Sequence, residues 1–508
     1  MNVMQLTREA CKQLQSKTGL QVPADQLFEL PEKILQFGTG VLLRALPDYF
    51  VDKANKQGIF NGRIVVVKST ESDSTAFDQQ NGLYTVCVRG IENGKNIEEN
   101  IINASVSRVL SAKSEWQQIL QCAYNPEMRI IISNTTEVGI QLVEEAITDH
   151  PPASFPGKLL AFLYERYKAF NGTPESGMVI VPTELITDNG TKLKQIILEL
   201  AEVNKLNHLF VEWLNGHNTF CNSLVDRIVP GKPIAAELEK LEEELGFTDR
   251  LLTMCEAFRL WAIEGNEKVK EILSFAQVDP AVVIASDITL FKELKLRLLN
   301  GTHTFNCGIS FLGGFAITRE VVQDDVFGRF TKELMHKEIA PAIPFDIPVK
   351  QKEDFANSTF DRFCNPAIDH QLLSITVQYT SKMKMRNLPL IQRHYELNSS
   401  APLRMAAGFG AYLLFLKVTR KDENKYFGER DGVEYEIKDD SAPYFYEVWQ
   451  QYEAAEVPAV VMRNKALWEV DLTQYPGFLT AVEKQLNSML TNGVAQTVAE
   501  LENATEVL

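Results

Sequence analysis

The stretch ILQFGTGVLLRALPDYF, residues 34–50, has the form of a strand, a glycine turn and a helix. Gly38 and Gly40 supply the first two glycines of the G-x-G-x-x-G pattern that binds dinucleotides, but Leu43 stands where the third glycine belongs. The first two glycines let a pyrophosphate approach the backbone, whereas the third serves helix–strand packing. The stretch therefore predicts either a dinucleotide site with altered packing or an ordinary tight turn, and Pro47 predicts an early interruption of the helix.

The first half of the chain alternates short apolar runs with helical patterns. Helical periodicity marks residues 114–124 and 157–170, among others. This alternation predicts the α/β class with a doubly wound, Rossmann-like sheet, and it favours a dinucleotide site at the glycine turn. The apolar runs have the character of strands buried on both faces of a parallel sheet, and they occupy residues 62–70, 128–136, 175–185 and 280–287.

The second half of the chain is mainly helical in its periodicity. We therefore predict a dinucleotide-binding domain over residues 1–285 and a mainly α-helical domain, for substrate binding and catalysis, over residues 286–508. The charged, turn-rich segment after about residue 420 is assigned no role beyond covering the helical domain. The predicted helical stretches are residues 291–315, 324–343, 366–384, 401–421 and 476–493.

The composition is that of a globular protein, since 45% of the 508 residues are hydrophobic and 23% are charged. The net charge of −16, from 51 basic and 67 acidic residues, disfavours a nucleic-acid partner. The sequence contains neither a signal peptide nor a run of about 18 apolar residues, so no membrane segment is expected. The seven cysteines form no C-x-x-C pair and the seven histidines no H-E-x-x-H, so we expect reduced thiols in the cytoplasm and no metal site.

A lysine, an asparagine and a histidine are closely spaced in KLRLLNGTH, residues 295–303. On an α-helix Lys295, Asn300 and His303 stand at about 0°, 140° and 80° around the axis, so they share one broad face. A lysine of lowered pKa can act as an acid or base, and an asparagine and a histidine can polarise a carbonyl oxygen. The segment therefore predicts either a carbonyl-reducing site or a surface lysine beside a core histidine.

Basic residues cluster in SKMKMR, residues 381–386, of this otherwise acidic chain. Lys382 and Arg386, together with Arg362, could hold a substrate carboxylate through charge-assisted hydrogen bonds. A solvated basic face is the alternative interpretation.

The sequence leaves the choice between NAD and NADP open. The acid that binds the ribose hydroxyls usually follows the second strand, but here Lys68 stands at that point. Glu71 and Asp73 are within reach for NAD, whereas Lys68 favours the 2′-phosphate of NADP.

In this order, the motifs resemble those of the mannitol dehydrogenase family of polyol-specific long-chain dehydrogenases. The resemblance covers most of the first 400 or so residues, and its most specific element is the K-x-x-x-x-N-x-x-H pattern. The matching segments are FGTGVLLRA (37–45), QNGLYT (80–85), PEMRIIISNTTEVGI (126–140), LVDRIVPG (224–231), KLEEELGF (240–247), KLRLLNGTH (295–303), RFCNP (362–366) and HQLLSI (370–375).

The resemblance implies a Rossmann-like N-terminal domain that binds NAD, a helical C-terminal domain and an active site without a metal. By position, Lys295 resembles the general acid/base, and Asn300 and His303 resemble the residues that orient and polarise the carbonyl group. The expected substrate is a small keto-sugar acid, with no nucleic-acid or membrane partner. The cofactor contacts implied by position are Phe37, Gly38, Thr39, Gly40, Arg44, Thr136 and Asp226.

One segment departs from the family pattern. Many polyol dehydrogenases carry C-D-N before a later N-G, whereas this chain reads Thr183-Glu184-Leu185 before Asn189-Gly190. The first asparagine is lost, so Asn189 is the candidate for a second contact to the substrate carbonyl. The sugar-acid reductases of the family are similar to this chain here, which favours a uronate-type substrate over a plain polyol.

Overall fold

The computed structural model describes residues 4–69, 74–135 and 139–506 of the chain. These residues belong to two compact units. The N-terminal unit comprises Met1–Arg89 and Asn96–Ile288, and the C-terminal unit comprises Gly90–Lys95 and Thr289–Leu508.

The N-terminal unit carries most of the strands, and β16, β17 and β18 belong to the C-terminal unit. The strands in the described ranges are β1 (Met4–Gln5), β2 (Leu20–Gln21), β3 (Glu32–Phe37), β4 (Arg63–Lys68), β5 (Tyr84–Glu92), β6 (Lys95–Asn103), β7 (Val106–Ser111), β8 (Ile130–Ser133), β9 (Val179–Pro182), β10 (Thr219–Phe220), β11 (Ser223–Asp226), β12 (Phe247–Thr248), β13 (Thr253–Glu256), β14 (Leu260–Glu264), β15 (Val282–Ala285), β16 (Arg420–Asp422), β17 (Lys425–Arg430) and β18 (Val433–Ile437).

The helices are divided between the two units. The α-helices are α1 (Arg8–Leu14), α2 (Val41–Ala45), α3 (Pro47–Lys56), α4 (Thr75–Gln79), α5 (Trp116–Gln121), α6 (Phe155–Ala169), α7 (Asn189–Val203), α8 (His208–His217), α9 (Ala235–Leu245), α10 (Glu267–Ile272), α11 (Thr289–Leu294), α12 (Thr302–Leu312), α13 (Thr318–Gln323), α14 (Asp325–Glu333), α15 (Val349–Phe363), α16 (Leu372–Ile375), α17 (Tyr379–Lys382), α18 (Leu388–Leu397), α19 (Leu403–Phe415), α20 (Ala442–Gln451), α21 (Val457–Arg463), α22 (Lys465–Trp468), α23 (Phe478–Asn492) and α24 (Val494–Glu506). Segments of π-helix occur at Lys295–Gly301, Leu334–Ile339 and Met383–Asn387, and 3₁₀ turns at Asp25–Glu29, Cys122–Tyr124, Pro174–Ser176, Ser274–Val278 and Leu472–Gln474. In the part of the chain that the structure describes, no helix combines the length and apolar character that crossing a bilayer requires.

Six parallel strands form the main sheet of the N-terminal unit, in the order β10-β9-β8-β3-β4-β7. The chain begins this sheet with β3, adds β4 and β7 on one side, and then adds β8, β9 and β10 on the other. This is the strand order of doubly wound dinucleotide-binding sheets, in which ligands bind at the carboxyl ends of the strands where the order reverses. The predicted α/β class and Rossmann-like sheet are confirmed, and the reversal lies between β3 and β8.

The helix after the glycine turn is interrupted, as Pro47 predicts. α2 ends at Ala45, Leu46 has φ −130° and ψ −78°, and Pro47 opens α3. A proline fits the first turn of a helix because the N–H it lacks would have no helical partner there, but inside a helix it removes a hydrogen bond. The single helix expected from periodicity is therefore two consecutive helices.

One of the four predicted strands lies in a different sheet. The run 280–287 forms β15, which pairs with β14 in a separate three-stranded sheet that also contains β11. Val282 is the buried residue of this strand, and the other three are partly exposed. The expectation of burial on both faces was wrong for this run, because a short apolar run indicates a strand without indicating its sheet.

The C-terminal unit is mainly helical, as predicted, but the segment that begins at residue 420 also contains three strands. It forms the antiparallel meander β16, β17 and β18. Asp431 and Gly432 make the turn between β17 and β18, with φ values of 53° and 78°. An Asp-Gly pair between two short strands is a strong hairpin signal, which the sequence interpretation passed over.

Helices α12 and α19 of the C-terminal unit approach each other closely at Gly408. A Cβ atom added there would lie 2.9 Å from the backbone oxygen of Phe305 in α12. Gly410, on the same helix, would bring its Cβ no closer than 3.4 Å, to the backbone nitrogen of Leu486. The two glycines therefore differ in whether a methyl group has room.

We expect Gly408→Ala to destabilise the C-terminal unit by about 1–3 kcal/mol, because backbone atoms of α12 must move. Gly410→Ala is the matched control and should be neutral or slightly stabilising, since alanine favours a helix by up to about 1 kcal/mol over glycine. Thermal unfolding of both variants measures the difference. Equal midpoints for the two variants would contradict the close packing described at Gly408.

Candidate functional site

The turn after β3 requires glycine at position 38. Gly38 has φ +125°, and a Cβ atom added to it would lie 2.9 Å from the backbone oxygen of Asn134 and 3.0 Å from Cδ1 of Leu43. Leu43, at the position of the missing third glycine, is fully buried. Gly40 is exposed, and a Cβ added to it would meet no atom within 4 Å. The turn therefore offers its backbone to open space at the carboxyl edge of β3, beside the point where the strand order reverses.

A buried glutamate fixes the loop that follows β8. Glu184 is 2% exposed and accepts hydrogen bonds from Oγ of Ser133 (3.1 Å), the amide of Thr135 (2.8 Å) and Oγ1 of Thr135 (3.0 Å). Burial raises the pKa of this carboxyl, and the hydrogen bonds oppose that rise. Three residues named from the sequence for cofactor binding, Thr136, Glu71 and Asp73, lie outside the described residues.

Other residues expected at the cofactor lie in the interior of the N-terminal unit. The Phe37 side chain is 1% exposed, and Asp226, the last residue of β11, is 6% exposed. The Arg44 guanidinium donates a hydrogen bond to the backbone oxygen of Leu251 and lies 5.5 Å from the ring centroid of Tyr84. Burial lowers the pKa of Arg44. Because the Phe37 side chain is buried, any contact of this residue with a cofactor would be through its backbone.

Asn189 does not have a free amide for a substrate. It is fully buried, and its Nδ2 donates to the backbone oxygens of Pro182 (3.1 Å), Glu184 (3.0 Å) and Ser223 (3.1 Å). Its Oδ1 accepts hydrogen bonds from the amides of Gly190 and Ser223, both at 2.9 Å. This side chain joins β9, α7 and β11, and the suggestion that it contacts a carbonyl group is corrected for that reason.

The expected catalytic residues lie on a π-helical segment. α11 passes at Lys295 into the π-helix Lys295–Gly301, which continues as α12 with His303 in its first turn. Hydrogen bonds of a π-helix join residues five apart, so Lys295 and Asn300 lie on nearly the same side. The α-helical placement of Asn300, about 140° from Lys295, was wrong, and the π-helix explains how Asn300-Gly301 fits inside a continuous helix.

Hydrogen bonds from side chains to backbone carbonyl groups connect two of the π-helical segments. Arg297 is 6% exposed, and its Nη1 donates to the backbone oxygens of Met385 (2.9 Å) and Arg386 (2.6 Å). In the other direction, Nδ2 of Asn387 donates to the backbone oxygen of Gly301 at 3.2 Å. The segment with the catalytic candidates and the segment with the basic cluster are therefore fixed relative to each other.

His303 is buried among basic side chains. Its ring centroid is 4.9 Å from that of His370. Burial is the main cause of a pKa well below the usual value for histidine, and the charges of His370, Arg362, Arg386 and Lys382 lower it further. The imidazole is therefore neutral at neutral pH, so it can hydrogen-bond a carbonyl oxygen without itself carrying a charge.

The basic cluster is connected to the catalytic candidates. Nη1 of Arg386 donates to Oγ1 of Thr304 (3.2 Å), and Thr304 in turn donates to the backbone oxygen of Asn300 (2.7 Å). Nζ of Lys382 donates to the backbone oxygen of Ile375 (2.9 Å). Burial lowers the pKa of both Lys382 and Arg386. The structure thus links Arg386 to Asn300 through Thr304, and it places the charge of Lys382 close enough to act on His303.

Two neighbouring basic residues instead have acidic partners. Lys384 pairs with Glu469 at 2.8 Å, and Arg393 pairs with Glu396 at 2.5 Å. Of the basic residues in SKMKMR, Lys382 and Arg386 therefore act on His303, whereas Lys384 pairs elsewhere. Over residues 4–69, 74–135 and 139–506, no group of His, Cys, Asp and Glu side chains is arranged to hold a metal ion.

Sequence reasoning missed three residues of this site. His370 lies in the matched segment HQLLSI but was given no role, although a histidine in a segment shared with an enzyme family was a usable signal. Thr304 directly follows the K-x-x-x-x-N-x-x-H pattern. Arg297 lies inside that pattern, but its partner Met385 is 88 residues away, and the sequence contains no signal for that contact.

Two family models match the chain. Residues 32–275 match the mannitol dehydrogenase Rossmann domain, and residues 287–490 match the mannitol dehydrogenase C-terminal domain. The altronate oxidoreductases of Escherichia coli O1:K1 / APEC and of Escherichia coli O127:H6 (strain E2348/69 / EPEC) are each 36% identical to it over 483 residues, which is 93% of this chain and 97% of theirs.

Two solved structures share the fold over nearly the whole chain. The mannitol 2-dehydrogenase of Pseudomonas fluorescens, in a ternary complex with NAD and D-mannitol, has a TM-score of 0.66 at 24% identity and covers 98% of this chain and 100% of its own. A D-sorbitol dehydrogenase in substrate-free form has a TM-score of 0.76 at 21% identity, with 97% and 100% coverage. At these identities the likeness concerns the fold.

We expect His303 to remain neutral as the pH falls through 6.5, the ordinary histidine pKa. Because the unfolded chain takes up this proton before the native chain does, the same shift makes the C-terminal unit less stable below about pH 6.5. Histidine ring resonances recorded by NMR between about pH 8 and pH 5 test this, with the His303 signal identified by its loss in His303→Gln. A His303 resonance that titrates at or above the pKa of a reference histidine peptide would contradict the burial described here.

Proposed function

Because the chain belongs to the mannitol dehydrogenase family, we propose that it is a tagaturonate reductase, also called an altronate oxidoreductase. It is an oxidoreductase that acts on CH–OH groups of sugar-type substrates. In the proposed reaction NADH reduces the ketone of a keto-sugar acid to give an aldonate, as a step of hexuronate catabolism. The seven free cysteines support a reducing, cytoplasmic compartment.

The observation that carries this proposal is the basic group around His303. In a chain of net charge −16, Arg362, Lys382 and Arg386 all contribute charge at one imidazole. Arg386 forms no ion pair within the described residues. A substrate that carries a carboxylate matches this charge, and a neutral polyol does not. The apolar Leu185, 63% exposed where many polyol dehydrogenases have asparagine, further supports a sugar acid.

The glycine turn fits a dinucleotide. Gly38 sits where a side chain would strike Asn134 and Leu43, and Gly40 faces open space, so Gly38, Thr39 and Gly40 would hold the pyrophosphate through their backbone. Arg44 is anchored by its hydrogen bond to the backbone oxygen of Leu251, and Asp226 stays a proposed cofactor contact. When bound, the nicotinamide ring supplies the hydride for reduction and accepts it in the reverse direction.

The roles proposed in the C-terminal unit are those that the family resemblance implies, and the placement of the three residues on one continuous helix supports them. Lys295 donates its proton to the oxygen of the ketone as that oxygen gains charge, and takes a proton back from the hydroxyl group in the reverse direction. Asn300 and neutral His303 hydrogen-bond the same oxygen and stabilise its developing charge. Arg362, Lys382 and Arg386 hold the carboxylate, which orients the sugar chain.

Two neighbouring activities and one non-enzymatic role are the alternatives. Fructuronate reductase activity requires the same cationic group, whereas a mannitol-type polyol dehydrogenase does not. A sensor that binds NAD without turnover has no need of Lys295, Asn300 and His303 on one helix. A panel of keto-sugar acids and neutral ketoses, followed by NADH and NADPH absorbance, separates all of these.

We expect Lys295→Ala to lower turnover by about 10²- to 10⁴-fold, because the acid/base is lost. NADH binding should survive, since the glycine turn lies in the N-terminal unit. The matched control is Lys337→Ala, which removes an exposed lysine from another π-helical segment of the same unit. Stopped-flow NADH oxidation and NADH titration give the two quantities, and retained turnover in Lys295→Ala would refute the assignment.

We expect Arg386→Gln to raise KM for the keto-sugar acid by about 10- to 100-fold, from the loss of a charge-assisted hydrogen bond. The effect on a neutral ketose should be much smaller, so the preference for the acid falls. Lys384→Gln is the control, because Lys384 pairs with Glu469 instead. An equal loss with acid and neutral ketose would show that Arg386 acts only through Thr304 and does not hold a carboxylate.

A further inference from the structure

A second group of basic residues lies in the N-terminal unit, at the amino ends of β3 and β8. Lys33 lies in β3, and Arg129, directly before β8, donates its backbone amide to the oxygen of Lys33 at 3.1 Å. With Arg166 of α6 they line a cavity of about 630 Å³, whose apolar walls include Phe60 and Phe170. Cavities of about 300–1,000 Å³ are those that hold small organic ligands. No role described so far uses these residues.

Arg166 carries a fixed, buried charge. It is 1% exposed, and its Nε donates to the backbone oxygen of Ser176 (2.8 Å). Its Nη1 donates to the backbone oxygens of Ala123 (3.1 Å) and Asn125 (2.9 Å), and its guanidinium lies 4.8 Å from the ring centroid of Phe170. Within the described residues Arg166 forms no ion pair, and its Nη2 has no hydrogen-bond partner. The carbonyl groups hold the side chain in place without neutralising it.

Arg129 adds a second charge without an acidic partner. Its Nε is buried and has no hydrogen-bond partner, and its guanidinium forms no ion pair in the part of the chain that the structure describes. Burial, and then repulsion from Arg129, lower the pKa of Arg166 to about 10. Lys33 donates from Nζ to the backbone oxygen of Phe60 at 3.1 Å and is the third cation. Two guanidinium groups that repel each other beside a cavity favour an anion between them.

The rim of the cavity is acidic. Glu127, Glu175 and Glu271 are exposed and line its edge, where solvent screens their charge. Among the described residues, none of them pairs with Arg129 or Arg166. Carboxylates at this position accept hydrogen bonds, so they suit the hydroxyl groups of a ligand whose anionic end lies deeper.

We propose that this cavity binds a small polyhydroxylated oxyanion, a sugar phosphate or a sugar acid, whose anionic group bridges Arg129 and Arg166. The rim glutamates contact its hydroxyl groups. The site is separate from the glycine turn, because Lys33 lies near the amino end of β3 and Gly38 follows its carboxyl end. At about 3.3 Å per residue, the strand between them spans about 16 Å or more.

Isothermal titration of the full-length chain tests the proposal, with glucose 6-phosphate, gluconate and inorganic phosphate as probes. Saturating NADH occupies the glycine turn, and the Arg386→Gln background removes one of the three cations around His303 and so weakens anion binding there. Arg129→Gln should weaken binding by about 10- to 100-fold, as expected for the loss of a charged hydrogen bond. Arg129→Lys keeps the charge but loses the planar donor pair, so its affinity for the probes should lie between those of the parent and Arg129→Gln.

The relative affinities of glucose 6-phosphate and gluconate identify the phosphate or the carboxylate as the preferred group. Arg166 is left intact because its three carbonyl contacts make it structural, and NADH binding by Arg129→Gln checks that the fold is preserved. The proposal is overturned if none of the three probes binds, or if Arg129→Gln binds them as tightly as the parent does. Failure here leaves the reductase assignment untouched, because the two sites share no residue.

Discussion

Backbone carbonyl groups that lack a helical partner need another hydrogen-bond donor. In the C-terminal unit Arg297 is that donor for the π-helix Met383–Asn387, which carries part of the basic cluster. Arg297 supplies Nη1 to the carbonyls of Met385 and Arg386 while its Nε forms an ion pair with Glu293 at 2.9 Å. Hydrogen bonds to charged groups contribute about 1.5–3 kcal/mol each, and an unpaired buried carbonyl costs about as much. If either segment were α-helical instead of π-helical, the carbonyl groups of Met385 and Arg386 would shift away from Nη1 of Arg297. The contact therefore fixes the π-helix that carries Lys295 and Asn300 relative to the π-helix that carries Arg386.

The charges around His303 show why the site depends on hydrogen bonds that anchor its basic side chains. Like charges repel, so Lys382 and Arg386 would separate if their helices were free to move. Arg386 is anchored to Thr304, and Lys382 to the carbonyl of Ile375. The result is a positive region that is held in place by these hydrogen bonds, and the carboxylate of the proposed substrate would lower its electrostatic free energy. Repulsion between these cations destabilises the free protein locally, and a bound anion would relieve that repulsion.

The sequence predicted features that are local in the chain and missed those that depend on distant partners. The glycine turn, the break at Pro47 and the doubly wound sheet all follow from residues within a few positions of one another. The hairpin at Asp431-Gly432 was equally local and was overlooked. In contrast, the π-helix at Lys295–Gly301 resembles an α-helix in its hydrophobic periodicity, because one inserted residue shifts the pattern too little to detect. Asn189 was misjudged because its saturation depends on the position of Ser223, which only the folded chain reveals.

The glycine turn illustrates how a departure from a sequence pattern can preserve its function. The space beside Gly38 that a Cβ would occupy is bounded by the backbone of Asn134 on one side and by Cδ1 of Leu43 on the other. A glycine at position 43 would have no side-chain atom to fill the space beside Gly38. Leucine fills that space and adds a fully buried side chain to the hydrophobic core. Burial of a leucine contributes about 1.5–3 kcal/mol. Gly38 is therefore constrained by Leu43 as well as by its own φ of +125°, so the two positions form one packing unit. The pattern G-x-G-x-x-L meets the same steric requirement as three glycines, with helix α2 resting on a side chain instead of directly on the strand.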